Sequence, residues 1–273
     1  MIYAAMRVLV LANQKGGVGK TTTAINLGTA LAAMGERVLI IDLDPQGNAS
    51  TGLGIERADR KLSTYDVLNG DATLADIARE TGVPRLLVAP STIDLAGLEV
   101  EIAGHSDRTT RLKKALEVLA AEQGEIASGE RLTYVLIDCP PSLNLLTINA
   151  MAAGDSVVVP LQCEFFALEG LSQLLTTVEE VRGALNPRLT IHGIILTMFD
   201  SRNSLASQVV ADVRNFMGDK VYETVIPRNV RVSESPSHGK PVLLYDLKCS
   251  GSQAYLKLAS EVIQRERLLR AAA

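Results

Sequence analysis

Asn13-Gln14-Lys15-Gly16-Gly17-Val18-Gly19-Lys20-Thr21-Thr22 follows an apolar run, residues 7–12, and opens a stretch of helical character, residues 20–34. Strand, glycine-rich turn and helix in that order is the context a phosphate-binding loop requires. Glycines let backbone N–H groups close around phosphate oxygens. The start of the helix adds its partial positive charge. In such a loop Lys20 reaches the β- and γ-phosphates, and the Thr21 hydroxyl holds Mg²⁺. The usual spacing asks for a glycine at position 14. Gln14 stands there instead, and an additional lysine, Lys15, precedes the glycines.

Working outward, two further apolar runs end in carboxylates. Ile40-Ile41-Asp42-Leu43-Asp44-Pro45-Gln46-Gly47-Asn48 carries Asp42 and Asp44, and Leu136-Ile137-Asp138-Cys139-Pro140-Pro141 carries Asp138. Functional residues of parallel sheets collect at the carboxyl ends of strands. A carboxylate there orients Mg²⁺-bound water or positions the water that attacks a γ-phosphate. An isolated Asp at a strand end more often closes a turn; three of them beside a phosphate loop favour function.

Val-, Ile- and Leu-rich runs recur along the chain and predict strands at 7–12, 37–42, 85–89, 133–138, 156–160 and 190–197. They are nearly continuous in apolar character, as strands buried on both faces of a parallel sheet are. Helices are expected at 20–34, 108–122, 143–153, 168–185, 204–217 and 252–269, with short helices and turns over 55–76 and a polar loop at 124–130. Alternation of strand and helix predicts a doubly wound α/β fold with a mostly parallel sheet. No linker divides the chain, so residues 1–273 are expected to form one domain.

The composition is that of a globular protein, 47% hydrophobic and 21% charged. Cys139, Cys163 and Cys249 fit no zinc or disulfide spacing, which points to a reducing compartment. No apolar run reaches the length of a membrane span, and residues 1–6 are too short for a signal peptide. The overall charge of −4 argues against nucleic-acid binding, but its distribution is uneven. From Arg182 onward there are 13 Lys/Arg against 8 Asp/Glu, leaving 14 against 23 for the rest. A basic C-terminal face on an acidic body is one reading, chance fluctuation the other.

Together these residues resemble the ParA/MinD group of deviant Walker ATPases. The matching segments are Lys15-Gly-Gly-Val-Gly-Lys-Thr-Thr, Asp42-Leu-Asp-Pro-Gln-Gly-Asn, Asp138-Cys-Pro-Pro-Ser, Leu196-Thr-Met-Phe-Asp200 and the run from Val225 to Pro241. The last looks like the chromosomal, Soj-like branch. The resemblance implies ATP and Mg²⁺ as ligands and a nucleotide-sandwich homodimer, with Gly16, Gly17, Val18, Gly19, Lys20, Thr21 and Thr22 around the phosphates. It implies that Lys15 crosses to the partner's phosphates and that Asp44 positions the attacking water. Thr21, Asp42 and Asp138 would lie on the metal side, and Met198, Pro227 and Asn229 near adenine. It also implies nonspecific binding of double-stranded DNA through Arg202 and Arg231; Lys220, Lys240 and Lys248 lie in the same basic part of the chain, and nothing in the sequence selects them. A ParB-type centromere-binding partner would stimulate hydrolysis, and the expected location is cytoplasmic and nucleoid-associated.

No helix-turn-helix precedes the first strand, so operator autoregulation is not expected. Two alternatives stand beside this reading. One is a MinD-like membrane-associated regulator, since residues 261–273 are somewhat amphipathic and basic; their few large apolar residues and two glutamates favour a docked surface helix. The other is a metabolic P-loop enzyme acting on a small substrate.

Overall fold

A computed structural model describes residues 6–272; the residues read as too short for a leader lie, apart from Met6, outside it, as does Ala273. Seven strands form one sheet: β1 (Arg7–Leu11), β2 (Val38–Asp42), β3 (Arg79–Glu80), β4 (Leu86–Ala89), β5 (Tyr134–Asp138), β6 (Ser156–Gln162) and β7 (Thr190–Thr197). Their order is β3-β4-β2-β5-β1-β6-β7. All pairings are parallel except that of β3, a two-residue antiparallel edge strand. The mostly parallel, doubly wound sheet is therefore the one expected. The edge strand has no apolar pattern of its own, Arg79-Glu80 being polar, and only its pairing with β4 makes it a strand.

The near-continuous apolar runs have a direct structural reason. Successive side chains of a strand point to opposite faces, and both faces here are covered. Val8 and Val10 enter one core, Leu9 and Leu11 the other; Leu39 and Ile41 separate in the same way from Val38 and Ile40. The helices Lys20–Ala33 and Ser250–Ala272 cover the second face. Arg111–Gln123, Leu145–Ala153, Ala167–Ala184 and Ser204–Met217 cover the first.

Several helix starts are fixed by caps. The Asn144 side chain accepts from the Thr147 N–H, which moves that helix start two residues past the expected one. Asn203 caps Ser204–Met217 in the same way. The helix expected from residue 108 begins at Arg111, after turns over 105–110 closed by backbone bonds such as Thr110 N–H to the Asp107 carbonyl. The 55–76 stretch resolves into a 3₁₀ turn and the short helices Thr64–Asn69 and Leu74–Ile77, each with a capping box.

Candidate functional site

The sheet order places β1 between β5 and β6, and the chain leaves β1 into the glycine loop. Crevices at the carboxyl ends of such strands are where α/β sheets bind ligands. Strand register then does what sequence spacing could not. Asp42 of β2 pairs directly with Asp138 of β5, and Asp138 pairs with Leu11 at the end of β1. Two of the three predicted carboxylates thus sit side by side next to the loop, and Asp44 follows two residues beyond Asp42.

Gly19 caps the helix Lys20–Ala33 at φ 89°, a left-handed conformation that favours glycine. The Lys20 side chain is buried and donates from Nζ to the Lys15 carbonyl at 3.0 Å, which folds the loop back over it. Burial pulls its pKa below the usual lysine range, while Asp138, Cys139 and Asp44 oppose that shift. A cleft of about 620 Å³ opens here. Gly17, Gly19, Lys20, Thr21 and Thr22 form its floor, Asp44 and Gln46 one wall, and Ile93, Leu95 and Glu99 another. The segment after β4 that supplies Ile93, Leu95 and Glu99 carries no motif.

The two paired carboxylates differ in their surroundings. Asp42 is fully engaged: Oδ2 accepts from the Ser50 N–H at 2.8 Å and the Ser50 hydroxyl at 2.7 Å, and Oδ1 accepts from the Asp44 N–H at 3.2 Å. Burial nevertheless pushes its pKa up to about 6. Asp138 is completely buried, and neither oxygen has a hydrogen-bond partner among the described residues. Thr21 lies near enough to favour its charged form a little, without completing a bond. Burial first, then the neighbouring Asp42 charge, raises the Asp138 pKa well above the carboxylate range. Buried polar groups are ordinarily satisfied, so an orphaned carboxylate beside a lysine and a threonine at the mouth of a phosphate loop suits a divalent cation. Asp138 is thus the carboxylate that could hold a cation, whereas Asp42 spends its oxygens on the Ser50 hydroxyl and on the Ser50 and Asp44 N–H groups.

Asp44 is buried and accepts from the Gln46 N–H at 3.0 Å, with its residue lining the cleft. Lys15 points away from its own loop's interior. Its Nζ donates to Glu164 Oε2 at 2.8 Å, with 41% of the side chain exposed. Glu164, at the turn after β6, had no distinguishing neighbour in the sequence.

Met198, Pro227 and Asn229 come together in a second hollow of about 260 Å³, which shares Gly19, Thr22 and Met198 with the loop end. Met198 has φ 53°, strained for a non-glycine residue. Backbone bonds between Phe199 and the Ile226–Arg228 segment hold the two loops together. Asn229 caps the helix Val230–Glu234 and also donates to the Ser250 hydroxyl. The same loop pairing brings the segments bearing Arg202 and Arg231 into neighbouring positions. Arg202, with 87% of its side chain exposed, forms a two-pronged pair with Asp200. Arg231 pairs with Glu234 at 3.1 Å.

The last helix is docked. Tyr255, Leu258, Ala259 and Val262 are buried against the sheet face that Lys20–Ala33 also covers. No helix among the described residues is long and apolar enough to cross a membrane.

The family described as AAA domain matches residues 6–191. The chain is 66% identical to the chromosome partitioning protein ParA of Caulobacter vibrioides over 96% of each chain. It is 49% identical to the chromosome-partitioning ATPase Soj of Thermus thermophilus, covering 97% of this chain and 98% of that one. Among solved structures it is similar, with a TM-score of 0.82 and 35% identity over 96% of both chains, to the cobyrinic acid a,c-diamide synthase of Mycobacterium smegmatis with bound ADP and magnesium.

Proposed function

The chain belongs to the ParA/Soj family of chromosome-partitioning ATPases, and from that premise we propose how its residues carry out a partitioning cycle. The whole chain acts as one ATPase domain that binds Mg²⁺-ATP, closes into a sandwich homodimer and binds double-stranded DNA without sequence preference. A ParB-type centromere-binding protein then stimulates hydrolysis, in the cytoplasm and on the nucleoid.

The observation that carries the nucleotide part is Asp138, a buried carboxylate with two unpartnered oxygens beside Lys20 and Thr21. The Thr21 hydroxyl and Asp138, the latter directly or through water, would hold the metal. Asp42 keeps the adjoining turn in place. Mg²⁺ supplies charge neutralisation for the phosphates, as in phosphoryl transfer generally. Lys20 and the loop N–H groups bind the phosphates, and Asp44 holds the attacking water. Met198, Pro227 and Asn229 shape the base pocket. The Lys15 side chain, tied to Glu164 on the protein's exterior, is turned away from Lys20, which holds only the Lys15 carbonyl; this supports a role at a partner's phosphates, where a second cation acts on developing charge in a closed site.

The DNA part rests on Arg202 and Arg231, two exposed guanidinium groups, the first in a turn and the second in the short helix Val230–Glu234. Arg202 is paired with Asp200 and Arg231 with Glu234 and Asp246 on the surface, and exposed pairs are worth only ~0–1 kcal/mol, so phosphates displace them readily. Dimerisation would double the patch and raise affinity through effective concentration. The test is a DNA titration at several salt concentrations with ADP, ATP or no nucleotide, using wild type and Arg202→Ala/Arg231→Ala, with dimerisation followed in parallel. The double variant is expected to dimerise normally, lose affinity equally for unrelated sequences and show a shallower salt dependence. Wild-type DNA binding by that variant removes these arginines from the interface. A small-molecule substrate, the activity suggested by the name of the M. smegmatis neighbour, has less support, because the ParA relative is closer in identity at equal coverage.

A further inference from the structure

Arg60 stands apart from the site described above, and its surroundings are unusual for an arginine. It is 6% exposed, and its guanidinium ends on neutral acceptors. Nε and Nη2 donate to the Ile55 carbonyl at 3.2 and 2.7 Å, and Nη2 also donates to the Thr51 hydroxyl at 2.7 Å. Nη1 bridges two different loops, donating to the Gly47 carbonyl at 3.3 Å and the Ser91 carbonyl at 3.1 Å. Burying a cation is costly unless it is fully hydrogen-bonded, so an arginine spent on loop carbonyls calls for a reason. Burial disfavours its charge, and the nearby Asp42 offsets that in part.

The two bridged loops follow the neighbouring strands β2 and β4, and both lead to residues that line the nucleotide cleft. Gly47 closes the turn that begins at Asp44: its N–H donates to the Asp44 carbonyl at 2.8 Å, and the Gln46 N–H donates to Asp44 Oδ1. Ser91 begins the segment that leads to Ile93, Leu95 and Glu99, which also line the cleft. A second link runs parallel to the first, from Asp42 through the Ser50 hydroxyl to the Ser91 N–H. Arg60 fits Gly47 so closely that a Cβ there would lie 2.2 Å from Nη1, and the residue's φ of 63° independently favours glycine. The Asp44 turn is therefore held between a buried carboxylate below and a buried guanidinium behind.

We infer that Arg60 is a positioning residue for ATP hydrolysis: it clamps the Asp44 turn to the neighbouring segment after β4 and so fixes the Asp44 carboxylate where the attacking water must be held. This rests on the reading of Asp44 as the water-positioning group. Arg60 lines neither the phosphate floor nor the base hollow, so its loss should slow the chemical step and spare nucleotide binding. Misplacement of a catalytic group by about 1 Å costs up to about a hundredfold in rate.

The experiment compares wild type, Arg60→Ala, Arg60→Lys, Asp44→Ala and the double variant Asp44→Ala/Arg60→Ala. It measures kcat for ATP, the Kd of a fluorescent ATP analogue with Mg²⁺, and the thermal midpoint. Arg60→Ala is expected to lower kcat about tenfold or more with Kd changed less than about threefold. Guanidinium ions at millimolar concentration should restore part of kcat without altering Kd. Arg60→Lys, which keeps the charge but cannot bridge both loops, should also be slow, and it carries the test if Arg60→Ala fails to fold. The double variant should turn over no more slowly than Asp44→Ala, because a clamp has nothing to position once Asp44 is gone. Wild-type kcat in folded Arg60 variants overturns the inference, as does a Kd that worsens in step with kcat. So does a double variant slower than Asp44→Ala by the full Arg60 factor. If Asp44→Ala itself turns over normally, the reading of Asp44 falls and this inference with it; if Asp44→Ala is slow and the Arg60 variants are not, only the inference falls.

Discussion

The two ends of the sheet bury charge in opposite ways. At the amino ends of β1, β6 and β7, Arg7 donates from Nε to Glu266 at 2.8 Å and from Nη2 to the Ser156 hydroxyl at 2.6 Å, and lies 3.6 Å from Asp155. His192 lies 2.7 Å from the same Glu266 and is hydrogen-bonded to Tyr222, over whose ring Arg265 is stacked. This cluster ties the last helix to three strands, and its charges are answered from within the chain. At the carboxyl ends, Asp138 is as deeply buried, and neither oxygen has a hydrogen-bond partner among the described residues, with Thr21 and Lys20 offsetting its burial only in part. Burial alone therefore says little about the role of a charge. A buried charge bonded from within the chain pins structure, and one whose oxygens lack hydrogen-bond partners leaves room for a ligand to complete the site.

Breaking the compensated end should cost the most. Arg7→Met leaves Glu266 and Asp155 buried with a lost partner, and removal of one member of a buried pair typically costs about 3–5 kcal/mol. Chemical denaturation should show that loss while kcat per folded molecule stays near wild type. A large fall in kcat at full stability would mean that the two ends of the sheet are not separate in function.

At the other end, Lys20→Gln removes the cation that the glycine loop wraps. A drop in kcat/KM of about 10²–10³-fold is expected, the scale for losing one preorganised electrostatic contact, with little change in the denaturation midpoint. Near-normal nucleotide affinity and turnover would remove the loop from the mechanism.

Asp138→Asn sharpens the contrast, since the same kind of change should have opposite signs for stability at the two ends. Burial and the adjacent Asp42 already disfavour the Asp138 charge, so the variant without nucleotide should be as stable as wild type or about 1 kcal/mol more stable. Magnesium-dependent ATP turnover should nevertheless fall. Isothermal titration with Mg²⁺-nucleotide and thermal unfolding without it would separate the two effects; destabilisation comparable to Arg7→Met would show that Asp138 is structurally compensated after all.

The smallest effect is on acid stability. Burial pushes the Glu266 pKa up, but His192 and Arg7 more than offset it and hold the carboxyl below its ordinary 4.5. A carboxylate depressed in the folded state contributes stability above its unfolded pKa and loses it as pH falls through the folded value. Glu266→Gln should therefore be less stable than wild type at neutral pH, with the gap narrowing below about pH 4.5. A gap that stays constant down to pH 3 would remove the ion pair as its cause.

Much of the site was legible because it is local. The residues 15–22 loop, the Asp42–Asn48 turn and the Asp138 strand end each carry their chemistry within a few neighbours. Six of the seven strands showed as apolar runs because both sheet faces are covered. Glu164, Arg60 and the Ile93–Glu99 wall were not legible. An exposed glutamate, one arginine among many and a short irregular segment have no local pattern, and each gains its meaning from a residue far away in the chain.

The sequence by itself determined the phosphate loop, the alternation that builds the parallel sheet, and which carboxylates stand at strand ends, because these follow from spacing and burial period along one stretch of chain. Only the tertiary structure decided which carboxylate is free. Asp42 and Asp138 look alike as strand-ending aspartates, yet Ser50 folds back onto the first and no hydrogen bond among the described residues reaches the second. Ser50 stands only eight residues beyond Asp42, but the turn that returns it is not written in spacing or residue type, so the fold of that loop decides which carboxylate keeps unbonded oxygens.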